Sequence, residues 1–278
     1  MRVWLITGAG SGIGQALARK VLQSGDCAML TARRPELLRA LSEEFSDRSR
    51  ICRLDVTNKV EIDQVVAQTV AHFGKLSVLV NNAGRGLVGA LEEFSEEEMR
   101  NNFEINFFGP ANMVRAALPH MRQQRSGLIV NISAIAGLYN EVGFSIYGAA
   151  KFALEGLSEA LQSEVRHLGV KVLLVEPGPV RTGFIANSMD RAASSIADYK
   201  QSSGKFADFL TRISGKQAGD PVRAAALIYD TAVSERPPQR LVLGAYAIKR
   251  VRDKMRRIGE ELEQFENQGA AVDFDQDK

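Results

Sequence analysis

Residues 8–14 hold four glycines in seven positions, Gly8, Gly10, Gly12 and Gly14. They follow the apolar run Val3-Trp4-Leu5-Ile6 and precede a stretch whose apolar stripe is Ala16, Leu17, Val21 and Leu22. A strand that ends in such a loop and restarts as a helix has few ways to fold. Glycine lets the chain turn tightly, and it lets an anion reach the free N–H groups at the positive end of the helix. Gly8, Gly12 and Gly14 follow a G-x-x-x-G-x-G spacing, whereas a G-x-G-x-x-G pattern would need glycine where Ile13 stands. An ordinary turn accounts poorly for this density at this place. Gly8, Ser11, Gly12, Ile13 and Gly14 are therefore expected to hold the phosphates of a nucleotide.

The same alternation runs through most of the chain. Unbroken apolar strands are expected at Cys27–Ala32, Ile51–Val56, Ser77–Val80, Gly127–Ser133, Val170–Val175 and Arg240–Leu243, with helices between them. Ser95 with Glu98 three residues later predicts a capped helix reaching about Arg122. Buried strands separated by helices predict an α/β fold: one domain, a doubly wound parallel sheet of about seven strands, helices on both faces. The domain is expected over 1–244. Within it the alternation lapses at 182–220, where Phe184, Tyr199, Phe206 and Phe209 are scattered among small residues; this reads as a partly helical lid over a substrate. An amphipathic helix is expected over 245–266 and a polar, flexible tail over 267–278.

Composition narrows the function. A net charge of +2 calls for neither nucleic acid nor an anionic surface as partner. Three isolated histidines and two cysteines offer no metal-ligand spacing. Cys27 and Cys52 read as small buried hydrophobes in a reducing compartment. No apolar run reaches membrane-spanning length, and a strand starting at residue 2 leaves no room for a leader peptide. A cytoplasmic location is expected.

Two further signals carry chemistry. Tyr147 and Lys151 stand four residues apart in helix-compatible company, so they share a helix face. A fixed ammonium beside a phenol would lower the phenol pKa; bringing it from near 10 to working pH takes about 4 kcal/mol. The second strand ends Thr31-Ala32-Arg33-Arg34 with no carboxylate before Glu36. A carboxylate here would suit the ribose hydroxyls of NAD, whereas Arg33 and Arg34 suit the 2′-phosphate of NADP. NADP(H) is expected over NAD(H).

Thr7-Gly-x-x-x-Gly-x-Gly14, Asp55-Val56, Asn81-Asn-Ala-Gly84, Asn106, Tyr147-x-x-x-Lys151 and Pro177-Gly178 together resemble the short-chain dehydrogenase/reductase family. The match spans roughly 1–182, and the remainder is similar to its 17β-hydroxysteroid and retinol dehydrogenase-like subfamilies. The resemblance implies a Rossmann-like fold and hydride transfer between nicotinamide C4 and a carbonyl/alcohol substrate. It places Asp55 and Val56 at the adenine, and Asn82, Ala83 and Gly84 along the ribose. Pro177, Gly178, Val180 and Thr182 would meet the nicotinamide end. Tyr147 would be the acid or base, Lys151 would also hold the nicotinamide ribose, and Asn106 would organise a water path. Ala134, Phe144 and Phe184 are the candidate substrate contacts, and the apolar neighbours of Tyr147 suggest a lipophilic substrate. A homodimer or homotetramer is expected.

One position departs from the family pattern. The catalytic serine usually lies thirteen residues before the tyrosine, and here that slot is Ala134. Ser133 is adjacent, but neighbours on a strand point to opposite faces. Either the loop shifts so that Ser133 serves, or Ala134 is an engineered replacement, or the natural protein lacks the serine. A dinucleotide-binding sensor or scaffold with residual catalysis is the alternative function. The final helix carries Ile248, Val251, Met255, Ile258, Leu262 and Phe265 at 3, 4, 3, 4, 3 spacing. A seam this short is expected to pack on its own domain, with a subunit interface as second choice and a membrane-surface helix third.

Overall fold

The computed structural model describes residues 1–274. The chain opens with β1 (Val3–Ile6), α1 (Gly12–Gln23), β2 (Cys27–Ala32), α2 (Arg39–Glu44) and β3 (Ser49–Arg53). Next come α3 (Lys59–Phe73), β4 (Val78–Asn81), β5 (Gly86–Val88), α4 (Glu96–Phe103) and α5 (Gly109–Gln124). The second half holds β6 (Gly127–Ile132), α6 (Ser145–Val165), β7 (Val170–Pro177), α7 (Phe184–Asn187) and β8 (Met189–Arg191). It closes with α8 (Lys205–Ile213), α9 (Pro221–Val233), β9 (Arg240–Leu243) and α10 (Ala245–Ala270).

Seven strands form one parallel sheet in the order β3-β2-β1-β4-β6-β7-β9. The order reverses between β1 and β4, and ligands of such sheets bind in the crevice beyond the strand ends at that switch point. Successive residues feed opposite cores. Trp4, Ile6, Ala28 and Leu30 pack with α1 and α9, whereas Leu5 and Met29 pack with α3, α5 and α6. Burial on both faces is why the central strands are apolar at nearly every position, whereas the edge strand β3 carries Arg50 and Arg53.

Helix ends follow their local chemistry. The Asn58 side chain accepts from the Val60 and Glu61 N–H groups at the start of α3, and Gly74 ends that helix at φ 76°. Ser95 and Glu98 form the expected capping box. The long helix expected from there to Arg122 is interrupted: Glu104–Phe108 widens into a π-turn before α5 begins. Pro110 supplies the reason, because it has no N–H to give the residue four before it, Asn106. Single π-turns of this kind gather at functional sites.

The 182–220 segment folds mainly as α7, β8 and α8. Its strand β8 pairs in parallel with β5, a contact invisible in so short a run of sequence. Its two ends are pinned together, since Arg181 N donates to Gly219 O and Gly219 N donates to Pro179 O.

The last helix departs from expectation. It runs to Ala270, four residues past the anticipated end, and Ala247 is its one buried residue among those described. It touches the domain through Arg250 over the Tyr139 ring and Lys254 over the Phe152 ring. Beyond them Met255, Leu262 and Phe265 are 64%, 68% and 56% exposed. Only the start of the stripe, where Val251 is half-buried, packs on its own domain, and the rest does not. Of the expected tail, residues 275–278 lie outside the described part.

Candidate active site

The crevice at the switch point is a continuous cleft of about 1330 Å³. At one end lies the glycine loop. Gly8 and Gly12 hold φ values of 65° and 58°, which other residues rarely adopt. A Cβ on Gly14 would lie 2.3 Å from Asn82 Nδ2, so the helix start and the β4 end meet only through glycine. Asn82 braces this junction: its Nδ2 donates to Thr7 O at 2.9 Å and Gly8 O at 3.0 Å. Thr7 Oγ1 accepts from the N–H groups of Asn82 and Ala83 in return. The first turn of α1 has no side-chain cap, so its N–H groups remain available to an anion.

Arg33 and Arg34 line the cleft as exposed side chains at the end of β2. Asp55 and Val56 line it nearby. Burial pushes the Asp55 carboxyl up, but hydrogen bonds from Thr57 and the charges of Arg33 and Arg53 outweigh it and leave the carboxyl below its ordinary value. Ala83, Gly84, Pro177, Gly178, Val180 and Thr182 continue the wall. Thr182 packs against the glycine loop, 3.4 Å from where a Cβ of Gly12 would stand.

Tyr147 and Lys151 lie mid-cleft on α6, 6% and 4% exposed. The ammonium sits 5.9 Å from the phenol ring centroid and donates to Ile132 O at 3.1 Å. Asn106 is fully buried in the π-turn: its Nδ2 donates to Arg85 O and Asn102 O, and its Oδ1 accepts from Arg85 N. Gly84 lets these groups converge, because a Cβ there would lie 3.0 Å from Asn106 Oδ1 and 3.7 Å from Lys151 Nζ.

The pKa expectation for Tyr147 is overturned. Burial pushes the phenol up, the opposite of the lowering anticipated from Lys151. Burial likewise pulls Lys151 down, to about 8, against the favourable pull of Glu155. The ammonium is directed at a backbone carbonyl rather than at the phenol oxygen, so desolvation dominates both groups. The pair supplies a neutral phenol, which is the form that donates a proton.

Ser133 and Ala134 follow the end of β6, and both line the cleft. The Ser133 hydroxyl is buried beside Gly137 and Glu155. Behind Ser133 lies a buried acidic pair that the sequence did not disclose. Glu155 and Glu176 are 4% and 0% exposed, and Arg240 reaches them at 3.2 Å and 3.6 Å. Burial first, then the neighbouring Glu155, pushes the Glu176 carboxyl up to about 8.

Aromatic rings wall the other end. Phe144 meets Tyr147 at 5.3 Å and Phe206 at 5.0 Å, and Phe184 lies 6.2 Å from Tyr147. Arg85, Glu141, Met189, Ile213 and Tyr246 also line the cleft and were not singled out from sequence. Arg85 forms a bidentate ion pair with Asp190, and Tyr246 donates to Glu141. These pairs join residues 105 positions apart, so no local pattern signals them. Among the described residues no group of ligating side chains could hold a metal, and no helix is long and apolar enough to cross a membrane.

A family model described as short chain dehydrogenase matches residues 2–193. The 3-ketodihydrosphingosine reductase of Bacteroides thetaiotaomicron is 36% identical over 244 residues, 87% of this chain and 88% of that protein. A short-chain dehydrogenase structure from Streptomyces avermitilis superposes with TM-score 0.91 at 42% identity, covering 98% of this chain and all of that one. Another, from Burkholderia phymatum in complex with NAD, gives TM-score 0.83 at 28% identity over 94% of this chain and 95% of its own. The chain belongs to the short-chain dehydrogenase/reductase family, and is thereby an oxidoreductase of that type acting on small molecules.

Proposed function

We propose that the protein is an NADP(H)-dependent reductase of a lipophilic carbonyl compound. The observation that carries this reading is the buried Tyr147 beside Lys151, in one cleft with an anion-binding glycine loop and a wall of aromatic rings. The dinucleotide supplies a hydride at nicotinamide C4. Its phosphates would rest on the N-terminus of α1, and its 2′-phosphate against Arg33 and Arg34. That a family neighbour binds NAD supports a nicotinamide dinucleotide in general; the arginine pair supports the phosphorylated form. Tyr147 would donate its proton to the carbonyl oxygen, and Lys151 would stabilise the charge left on the phenol. Asn106, bonded across Arg85 and Asn102, fixes the backbone that Gly84 brings against Lys151. The relative named for 3-ketodihydrosphingosine reduction supports a keto substrate, and Phe144, Phe184 and Phe206 support one with an apolar body.

Ala134 supports a second reading, a dinucleotide-binding sensor with residual turnover. No hydroxyl occupies its slot, and that of Ser133 is directed at Glu155. Loss of such an oxygen-holding donor costs on the order of 10²–10³ in turnover. NADPH fluorescence titration beside a panel of ketones, with wild type and Ala134→Ser, separates the readings. The reductase reading expects NADPH binding in both and faster turnover in Ala134→Ser. Binding without turnover of any ketone, even in Ala134→Ser, would favour the sensor.

A further inference from the structure

The stripe of α10 left bare by the domain has a symmetry that names its occupant. Ile248, Val251, Met255, Ile258, Leu262 and Phe265 are spaced 3, 4, 3, 4, 3, and that series reads the same in both directions. Laid antiparallel on a second copy of itself, the seam puts Ile248 on Phe265, Val251 on Leu262 and Met255 on Ile258, with no apolar position unmatched. A palindromic seam is what a two-fold isologous contact requires, because each residue must meet its counterpart twice.

Charge selects the same arrangement. Lys249, Arg250, Arg252, Lys254, Arg256 and Arg257 crowd the first half of the helix, with Asp253 as the one acid among them. Glu260, Glu261, Glu263 and Glu266 occupy the second half. An antiparallel pair sets the basic half of each copy against the acidic half of the other. On one flank of the seam Lys254 then faces Glu261 of the second copy, and the symmetry makes this contact twice. A parallel pair would instead set Glu261 against Glu266, like charge on like. An anionic membrane would attract the first half of the helix and repel the second.

Exposure is consistent at every seam position except Val251, which is half-buried. Ile248, Met255, Ile258, Leu262 and Phe265 are all at least 39% exposed, and Phe152 of α6, also 39% exposed, continues the patch beside Lys254. The seam spans eighteen residues, roughly 27 Å. We infer that α10 pairs antiparallel with α10 of a second copy of this chain. The pairing also touches the cleft: Ile248 stands two residues from Tyr246, which lines the cleft rim. The Phe265 end of each helix thus sits at the mouth of the other copy's cleft. This inference does not depend on the chemistry proposed above.

Disulfide trapping with the full-length chain tests it. Ile248→Cys and Phe265→Cys are made separately in a Cys52→Ser background, both sites being on the surface. In an antiparallel pair, identical positions at the seam ends lie about 25 Å apart, so neither variant cross-links alone. An equimolar mixture, after subunit exchange and mild oxidation, is expected to give one covalent dimer. Self-cross-linking of each variant alone would mean a parallel pair and would overturn the inference. So would a mixture that stays uncross-linked, or that cross-links only when phosphatidylserine vesicles are added. Leu262→Asp, at a side chain 68% exposed, is expected to halve the mass measured by light scattering. An unchanged mass would equally overturn the inference.

Discussion

The two ends of the cleft are built from different materials. At the dinucleotide end the working groups are backbone N–H groups, held by Gly8, Gly12 and Gly14 and braced by Asn82 and Thr7. At the other end the walls are side chains, Phe144, Phe184 and Phe206, contributed by the start of α6 and by a segment pinned outside the sheet. Backbone geometry tolerates little change, because a methyl at Gly14 meets Asn82 at 2.3 Å. Aromatic walls can be repacked. The comparison teaches that one end is fixed by backbone contact while the other can change shape by repacking side chains.

The sharpest test falls where the ends meet. Tyr147→Phe keeps the ring packing but removes the proton donor, and is expected to lower kcat by about 10²–10⁴. NADPH titration should leave the dissociation constant unchanged; a matching loss of binding would show that the residue serves the cofactor end. Arg33→Ala with Arg34→Ala acts at the cofactor end alone. A drop of roughly 10–100-fold in preference for NADPH over NADH, read from kcat/KM with each cofactor, is expected from the lost charge-assisted bonds. An unaltered ratio would remove these arginines from 2′-phosphate recognition. Phe206→Ala acts at the other end. It should raise KM for the best ketone by about 2–10-fold, the scale of one aromatic contact, with NADPH affinity intact.

The smallest effect lies beneath the cleft. Glu176 has its carboxyl raised to about 8 in the folded chain, above its value unfolded. The stability it contributes is thus fully present below the unfolded value near 4.5 and is lost as pH rises through 8. Glu176→Gln keeps the side chain neutral at every pH. Thermal unfolding from pH 5 to 9 should show the wild-type Tm falling relative to the variant by a few degrees. Parallel profiles would mean that Arg240 neutralises the carboxylate fully.

The dinucleotide end was legible because its signals are local. A turn that needs glycine declares itself within seven residues, and the Tyr147/Lys151 spacing within four. The parallel sheet followed from the apolar runs. What stayed hidden depends on distant residues. The β5–β8 pairing, the Arg85–Asp190 ion pair and the Glu155–Glu176–Arg240 cluster all join far-apart segments. The raised phenol pKa of Tyr147 reflects total burial, which no helical spacing reports. For α10 the heptad was plain, but which neighbour the domain would offer it was not; the domain offers almost none.

The clasp between Pro179–Arg181 and Gly219 has an evolutionary consequence. A segment that leaves and rejoins the framework through one pair of adjacent backbone sites behaves as an exchangeable cassette. Lengthening it adds little closure entropy, about 0.6 kcal/mol per doubling, and leaves the sheet register untouched. New substrates can therefore be acquired by rewriting 183–218 alone, while Thr182 and the glycine loop it packs against stay in place.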